Sequence, residues 1–188
     1  MRSTLLLGGA RSGKSSFAVE YAARLGGRVA LIATAPPVDL DMERRIARHR
    51  AERPPQWATI EETVDLIGAL DRTDHDGADV VIIDCLTLWT SNLMWQGLAD
   101  DAIVDGAERA AARCRSLRAS VITISNEVGL GVHPDTPLGR RFQDVLGFVN
   151  QRWAAAADVA ALMVAGRALR LNSPSDLLDL PEPGGDLS

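Results

Sequence analysis

Residues 5–16 read LLLGGARSGKSS, and Gly8-Gly9-Ala10-Arg11-Ser12-Gly13-Lys14-Ser15 within them fits the pattern G-x-x-x-x-G-K-[ST]. The apolar run from Thr4 to Leu7 reads as a buried strand. From Ser12 to Leu25, Phe17, Tyr21 and Leu25 recur at i, i+4 and i+8, the spacing of a helix. A glycine-rich loop between a strand and a helix is the setting in which this pattern cradles phosphate. Its glycines let successive backbone N–H groups turn inward, and the helix that follows contributes its positive dipole end. Lys14 is the one lysine in a chain with 20 Lys and Arg together. A compact ammonium reaches β and γ phosphates in that cradle, where a planar guanidinium fits poorly. Ser15 is placed to ligate Mg²⁺.

Four more short runs rich in Val, Ile, Leu or Ala lie beyond the loop: Arg28 to Ala33, Asp79 to Ile83, Val121 to Ser125, and Val159 to Val164. Each is bounded by Gly, Asp, Asn or Pro, and helical periods separate them. Thr136-Pro137 reads as an N-cap followed by proline at the first helical position. After it, Leu138, Phe142, Val145, Val149 and Trp153 recur every three or four residues. Strands alternating with helices predict an α/β fold, with a mainly parallel sheet covered on both faces.

The run DVVIIDC carries four apolar residues into Asp84 at the carboxyl end of its strand, where an acid holds Mg²⁺ directly or through water. Asp79 starts the same strand and is expected at the opposite, solvated edge. Loop and acid together specify a Mg-nucleotide phosphotransferase or NTPase. A net charge of −5 argues against a nucleic-acid partner, which needs a basic face. A guanine-reading N-K-x-D motif needs a second lysine, and there is none. No apolar run is long enough to span a membrane. Cys85 and Cys114 lack CxxC spacing and read as reduced core thiols of a cytoplasmic protein.

Residues 41–57, DMERRIARHRAERPPQW, read as a helix ending before Pro54. Arg44, Arg45, Arg48, Arg50 and Arg53 surround His49, which borders the apolar stripe of Met42 and Ile46. Periodicity alone fits a surface helix with solvated charges. Chemically, neighbouring cations favour neutral imidazole, the nucleophilic form, and neutralise an approaching polyphosphate. Such a histidine can attack an α-phosphorus, expel pyrophosphate and carry the nucleotidyl group, so that one displacement becomes two. His75 and His133 sit in polar, turn-rich stretches and offer less.

The segments GGARSGKS, IATA, RIARHRAERPPQW, IDCLTLWTSNL, SNEVGLGVHP and RRFQDVLGFVNQRWAAAADVA, in this order, resemble the bifunctional adenosylcobinamide kinase / adenosylcobinamide-phosphate guanylyltransferase family of cobalamin synthesis. The resemblance runs to about Leu171. It implies a RecA-like P-loop domain, assembly as a homo-oligomer, and two reactions. A nucleoside triphosphate, ATP or GTP, phosphorylates the aminopropanol hydroxyl of adenosylcobinamide. GTP then transfers GMP to that phosphate, giving adenosylcobinamide-GDP and pyrophosphate. The histidine that carries GMP in the family matches His49. Where some members have a second histidine just before it, this chain has Arg48. The family's nucleotide contacts map onto Gly8 to Ser15, onto Ala33, Thr34 and Ala35, onto Arg50, Ala51, Glu52 and Arg53, and onto Glu61 and Asp84. Many members have Glu at the last of these positions, and Asp84 is one methylene shorter. A P-loop kinase for another small alcohol is the alternative within the same chemistry, and a nucleotide-gated binding module the alternative outside it.

Asn126 and Glu127 follow the fourth strand at the edge where parallel sheets bind ligands. Glu127 either accepts the substrate hydroxyl proton or fixes its loop by bonding backbone. Gly129 and Gly131 suggest a bending loop that shapes the corrinoid site. Thr87, Thr90 and Asn92 are expected to line the cleft beside Asp84, and Trp89 and Trp95 to pack or meet another subunit. Residues 1–171 are expected to form the catalytic domain, and 172–188, rich in Pro, Gly and Asp, a mobile tail.

Overall fold

The structure, a computed structural model, describes residues 2–36, 44, 50 and 53–178. Its strands are β1 (Ser3–Leu7), β2 (Val29–Ala33), β3 (Ala58–Glu61), β4 (Val80–Asp84), β5 (Ser120–Ile124), β6 (Val159–Val164) and β7 (Arg167–Leu171). The described helices are α1 (Lys14–Leu25), α2 (Leu66–His75), α3 (Leu86–Trp95), α4 (Asp100–Ser116), α5 (Pro137–Ala156) and the short α6 (Pro174–Leu178). The strands form one sheet in the order β3-β2-β4-β5-β1-β6-β7. Every described pairing is parallel except β6 with β7.

All five expected strands are present, with ends shifted by at most one residue. Among the described residues, two further strands escaped the sequence reading. β3 closes one edge and β7 the other. Their residues are mostly exposed, so neither shows the apolar run of a buried strand. β7 returns from β6 through a tight turn at Ala165 and Gly166, whose φ angles of 49° and 75° suit a two-residue hairpin.

The central strands divide by alternation. Leu5, Leu7, Ile32, Val81, Ile83 and Val121 face one apolar cluster, into which α2, α3, α4 and α5 pack. Leu6, Leu31, Val80, Ile82, Ile122 and Ile124 face a second cluster closed by Ala18 and Ala22 of α1. This is the period-two geometry of strands buried on both faces. Helix α1 stands where its spacing predicts, but a different stripe is buried. Phe17 stacks on Tyr21, ring centroids 5.8 Å apart, near the surface, while small Ala18 and Ala22 let the helix lie close to the sheet. Helix α5 begins as read: Thr136 accepts the Gly139 N–H at 3.1 Å and Pro137 opens the first turn. Leu138 does not join the buried stripe and is exposed.

Candidate nucleotide site

The parallel register sets one row of residues across the sheet near the carboxyl ends of its strands. In order they are Glu61, Ala33, Asp84, Ile124, Leu6 and Ala161. Strand β5 separates β1, which feeds the glycine loop, from β4, which ends in Asp84. The row therefore brings loop and acid to the same edge, where open parallel sheets bind ligands.

The loop leaves β1 through Gly8, whose φ of 146° is closed to most side chains. A Cβ there would also run into the Met163 carbonyl oxygen and lie 2.9 Å from Ser12 Oγ. Arg11 adopts φ 56°, and Gly13, at φ 97°, caps α1. The β6–β7 hairpin supports the loop from below. The Gly166 N–H donates to the Ser12 carbonyl at 2.9 Å, and a Cβ on Gly13 would stand 3.2 Å from Gly166 Cα. Lys14 is buried, and its ammonium donates to Gly8 O at 2.6 Å, Gly9 O at 2.7 Å and Ser12 Oγ at 3.3 Å. Burial lowers its pKa from the ordinary value, partly offset by negative charge at Cys85 and Asp84. Burial pushes the Cys85 thiol up to about 11, so at neutral pH only the Asp84 carboxylate supplies that offset. Ser15 is half-buried in the first turn of α1.

Asp84 lies 3.6 Å from the Arg53 guanidinium, both side chains largely buried. Arg50 pairs with Glu61 at 2.6 Å, but both are about two-thirds exposed, where such a pair contributes only about 0–1 kcal/mol. Ala33 and Ala35 are half-buried at the end of β2. Thr34 is fully buried and faces inward. Its hydroxyl accepts the Cys85 N–H and donates to the Cys85 carbonyl, each at 2.7 Å, and its own N–H donates to Asp84 O at 3.0 Å. Asn92 extends this tie, donating to Thr34 O at 2.9 Å and to Thr63 O at 3.0 Å. The Thr34 hydroxyl is thus spent on the Cys85 backbone, at the end of the strand that carries Asp84.

Glu127 stands beside the loop, its backbone N–H donating to Gly8 O at 3.2 Å. One carboxylate oxygen accepts the Gly129 N–H at 2.6 Å. The loop-fixing role read as one option for this residue is therefore present. Thr87 accepts the Asn126 N–H at 2.8 Å. Thr90, expected in the cleft, is instead fully buried among the helices. Trp89 packs in the core and donates to Val64 O at 2.8 Å, whereas Trp95 is 83% exposed. Asp79, at the opposite edge as expected, is exposed and accepts the Arg28 N–H at 2.7 Å. His49, Ala51 and Glu52 lie outside the described residues. So does most of the helix read over 41–57, of which Arg44 and Arg50 are described as helical and exposed.

Sequence reasoning missed Ser125, Gln143 and Asn150, which hold the loop after β5. The signal was there for one of them: Asn150 interrupts the apolar stripe of Val145, Val149 and Trp153 with an amide.

The donor set near the loop suits Mg²⁺. A half-buried hydroxyl and one carboxylate are hard oxygen ligands, and Mg²⁺ typically takes one or two protein carboxylates, its remaining sites going to water and substrate phosphate. Among the described residues no group of three or more His, Cys, Asp or Glu is gathered for a larger metal cage. No helix among them is long and apolar enough to cross a membrane.

The sequence model of the family described as cobinamide kinase / cobinamide phosphate guanyltransferase matches residues 4–171. The bifunctional adenosylcobalamin biosynthesis protein CobP of Pseudomonas aeruginosa is 43% identical over 169 residues, covering 89% of this chain and 95% of that protein. The bifunctional adenosylcobalamin biosynthesis protein CobU of Escherichia coli is 36% identical over 179 residues, covering 89% of this chain and 98% of that protein. With a phosphate loop and an acidic strand end on one sheet edge, and a match spanning nearly every described element, the chain belongs to the cobinamide kinase / cobinamide phosphate guanyltransferase family.

Proposed function

We propose that this protein carries out both reactions of its family on adenosylcobinamide, using residues 1–171 as the catalytic unit. The observation that carries the reading is Lys14, buried at the mouth of a glycine cradle on the same sheet edge as Asp84.

In the first reaction the aminopropanol oxygen attacks the γ-phosphorus of ATP or GTP. The bond to the β–γ bridging oxygen breaks, and the nucleoside diphosphate leaves. The hydroxyl proton passes to Glu127. The glycine-loop N–H groups and Lys14 hold the phosphates in line and neutralise charge as it shifts to the leaving oxygen. Reaching the triphosphate, Lys14 exchanges some of its bonds to Gly8 O, Gly9 O and Ser12 Oγ for phosphate oxygens. Ser15 and Asp84 would hold Mg²⁺, which supplies further neutralisation of the phosphate charge.

In the second reaction a ring nitrogen of His49 attacks the α-phosphorus of GTP, and pyrophosphate leaves. The phosphate monoester made in the first reaction then attacks the guanylyl-histidine. The P–N bond breaks, the diphosphate linkage of adenosylcobinamide-GDP forms, and His49 is released. Glu61, Arg50 and Arg53 border the edge where that nucleotide would lie. The same reading places the enzyme in the cytoplasm as a homo-oligomer.

The test uses Mg²⁺ and α-labelled GTP followed by denaturation. An acid-labile, base-stable label on the wild type that is absent in His49→Ala is expected. No label at saturating GTP would remove the guanylyl transfer and leave a kinase.

A further inference from the structure

A carboxamide inside a helix-to-sheet core costs about 1–3 kcal/mol if its bonds go unmade. Asn150 sits in such a place, 6% exposed on α5 between the buried Leu146, Val149 and Trp153. Its bonds all go to one short stretch of chain. Its Oδ1 accepts the Ser125 hydroxyl at 2.6 Å, and its Nδ2 donates to the Asn126 carbonyl at 3.0 Å. Seven residues earlier on the same face of the helix, Gln143 Nε2 donates to the Val128 carbonyl at 3.1 Å. Thr87 of α3 holds the Asn126 N–H from the other side. Two amides two turns apart therefore grip the carbonyls on either side of Glu127. Glu127 itself has its N–H on Gly8 of the phosphate loop and one carboxylate oxygen on the Gly129 N–H, its other oxygen being the one offered to a substrate proton.

We propose that Asn150, helped by Gln143, is a positioning residue for the kinase reaction: it fixes the 125–128 backbone, which holds Glu127 beside the phosphate loop and so sets where its carboxylate stands. This rests on the reading of Glu127 as the base for the alcohol. The carboxylate must meet the hydroxyl proton within hydrogen-bond distance, and a displacement of about 1 Å can cost about 100-fold in rate. Guanylyl transfer to His49 does not use that proton, so the amide's effect falls on one reaction and spares the other.

The experiment uses the full chain with Asn150→Leu, Glu127→Gln and the double variant. Three quantities are read: kinase kcat and KM, the rate of protein labelling by α-labelled GTP, and hydrogen exchange of the Glu127 amide. Asn150→Leu is expected to lower kinase kcat by roughly 10- to 100-fold. KM for the triphosphate and the labelling rate should stay within about threefold, and Glu127 amide exchange should speed up at least about tenfold, the effect of losing about 1.4 kcal/mol of protection. The double variant should be no slower than Glu127→Gln alone, because both act through one group. Multiplying effects, or a kinase rate unchanged by Asn150→Leu when Glu127→Gln is slow, would overturn the proposal. A normal rate in Glu127→Gln would overturn the base reading instead. The exchange measurement then decides the clamp by itself: unchanged exchange refutes it and faster exchange supports it. If Asn150→Leu does not fold, Gln143→Met at its half-buried site is read by the same measurements, with a smaller drop in kcat expected.

Discussion

Replacing Thr34 by Val removes one oxygen from the centre of the nucleotide edge and leaves the side-chain shape nearly unchanged. Thr34 is completely buried, so the missing hydroxyl cannot be replaced by bulk water without rearrangement. It makes two bonds of 2.7 Å, both to Cys85. The Cys85 carbonyl keeps a second partner, the Trp89 N–H at 3.2 Å, so its loss is small. The Cys85 N–H keeps none that offsets the change, and a stranded backbone donor costs about 1–3 kcal/mol. The expected loss is about 2 kcal/mol, and at about 2–4 °C per kcal/mol in a chain of this size it lowers Tm by about 4–8 °C. Thr34→Ser keeps the oxygen and loses one methyl, at about 1 kcal/mol. Urea unfolding and calorimetry of the two variants separate these terms. Cys85 directly follows Asp84, so Thr34→Val should also slow phosphorylation of the alcohol about tenfold relative to Thr34→Ser. Equal stability and equal turnover in the two variants would refute the claim that this hydroxyl sets the end of β4.

Lys14→Arg should fold, because the β6–β7 hairpin still holds the loop through the Gly166 N–H, but with lower stability from the disturbed bonds to Gly8 and Gly9, and it should lose on the order of 100-fold in both triphosphate reactions. Steady-state kinase rates and the labelling rate with α-labelled GTP measure it, and near-normal values would contradict the role given to the ammonium. Cys114 gives a pH prediction. Burial pushes its thiol from 9.0 up to about 12, so its contribution to stability is complete below pH 9 and fades as pH rises toward 12. In that window the unfolded chain ionises the thiol first, with a slope of at most about 1.4 kcal/mol per pH unit. Urea midpoints at pH 8, 9.5 and 10.5 should fall less steeply for Cys114→Ala than for the wild type; identical slopes would mean the thiol is not held neutral by the core.

What the sequence made legible was local. The phosphate loop and the Thr136-Pro137 helix start are written in consecutive residues, and each appears where its pattern places it. The central strands are buried on both faces and so read as unbroken apolar runs. What it hid depends on partners far along the chain. Edge strands β3 and β7 carry Glu61, Arg167 and Arg170 because one side of each meets solvent, and period alone does not distinguish them from loops. The choice of Ala18 and Ala22 over Phe17 and Leu25 as the buried side of α1 follows from how closely the helix must approach the sheet, which helical spacing does not encode. Thr34 meets Cys85 across 51 positions and Asn150 meets Ser125 across 25, and no spacing rule joins either pair.

Those distant pairs share a location, and the location has a physical reason. The apolar clusters on the two faces of the sheet hold strands and helices together without directional bonds. They do little to fix a carboxylate to within an ångström, because apolar packing is tolerant of small shifts at its borders. A buried, paired polar group is less forgiving, since moving it leaves a donor or acceptor unpaired. In this protein such pairs collect where β1, β2, β4 and β5 release their chains at the edge proposed for the nucleotide: Thr34 on Cys85, Thr87 on Asn126, Asn150 on Ser125, and Glu127 on Gly8. Each ties the exit of one strand to a neighbouring strand or to a helix behind it. The glycine loop, Asp84 and Glu127 are thereby held by one connected frame. In-line phosphoryl transfer demands that frame, because its catalysis rests on position and charge rather than on covalent help from the cradle.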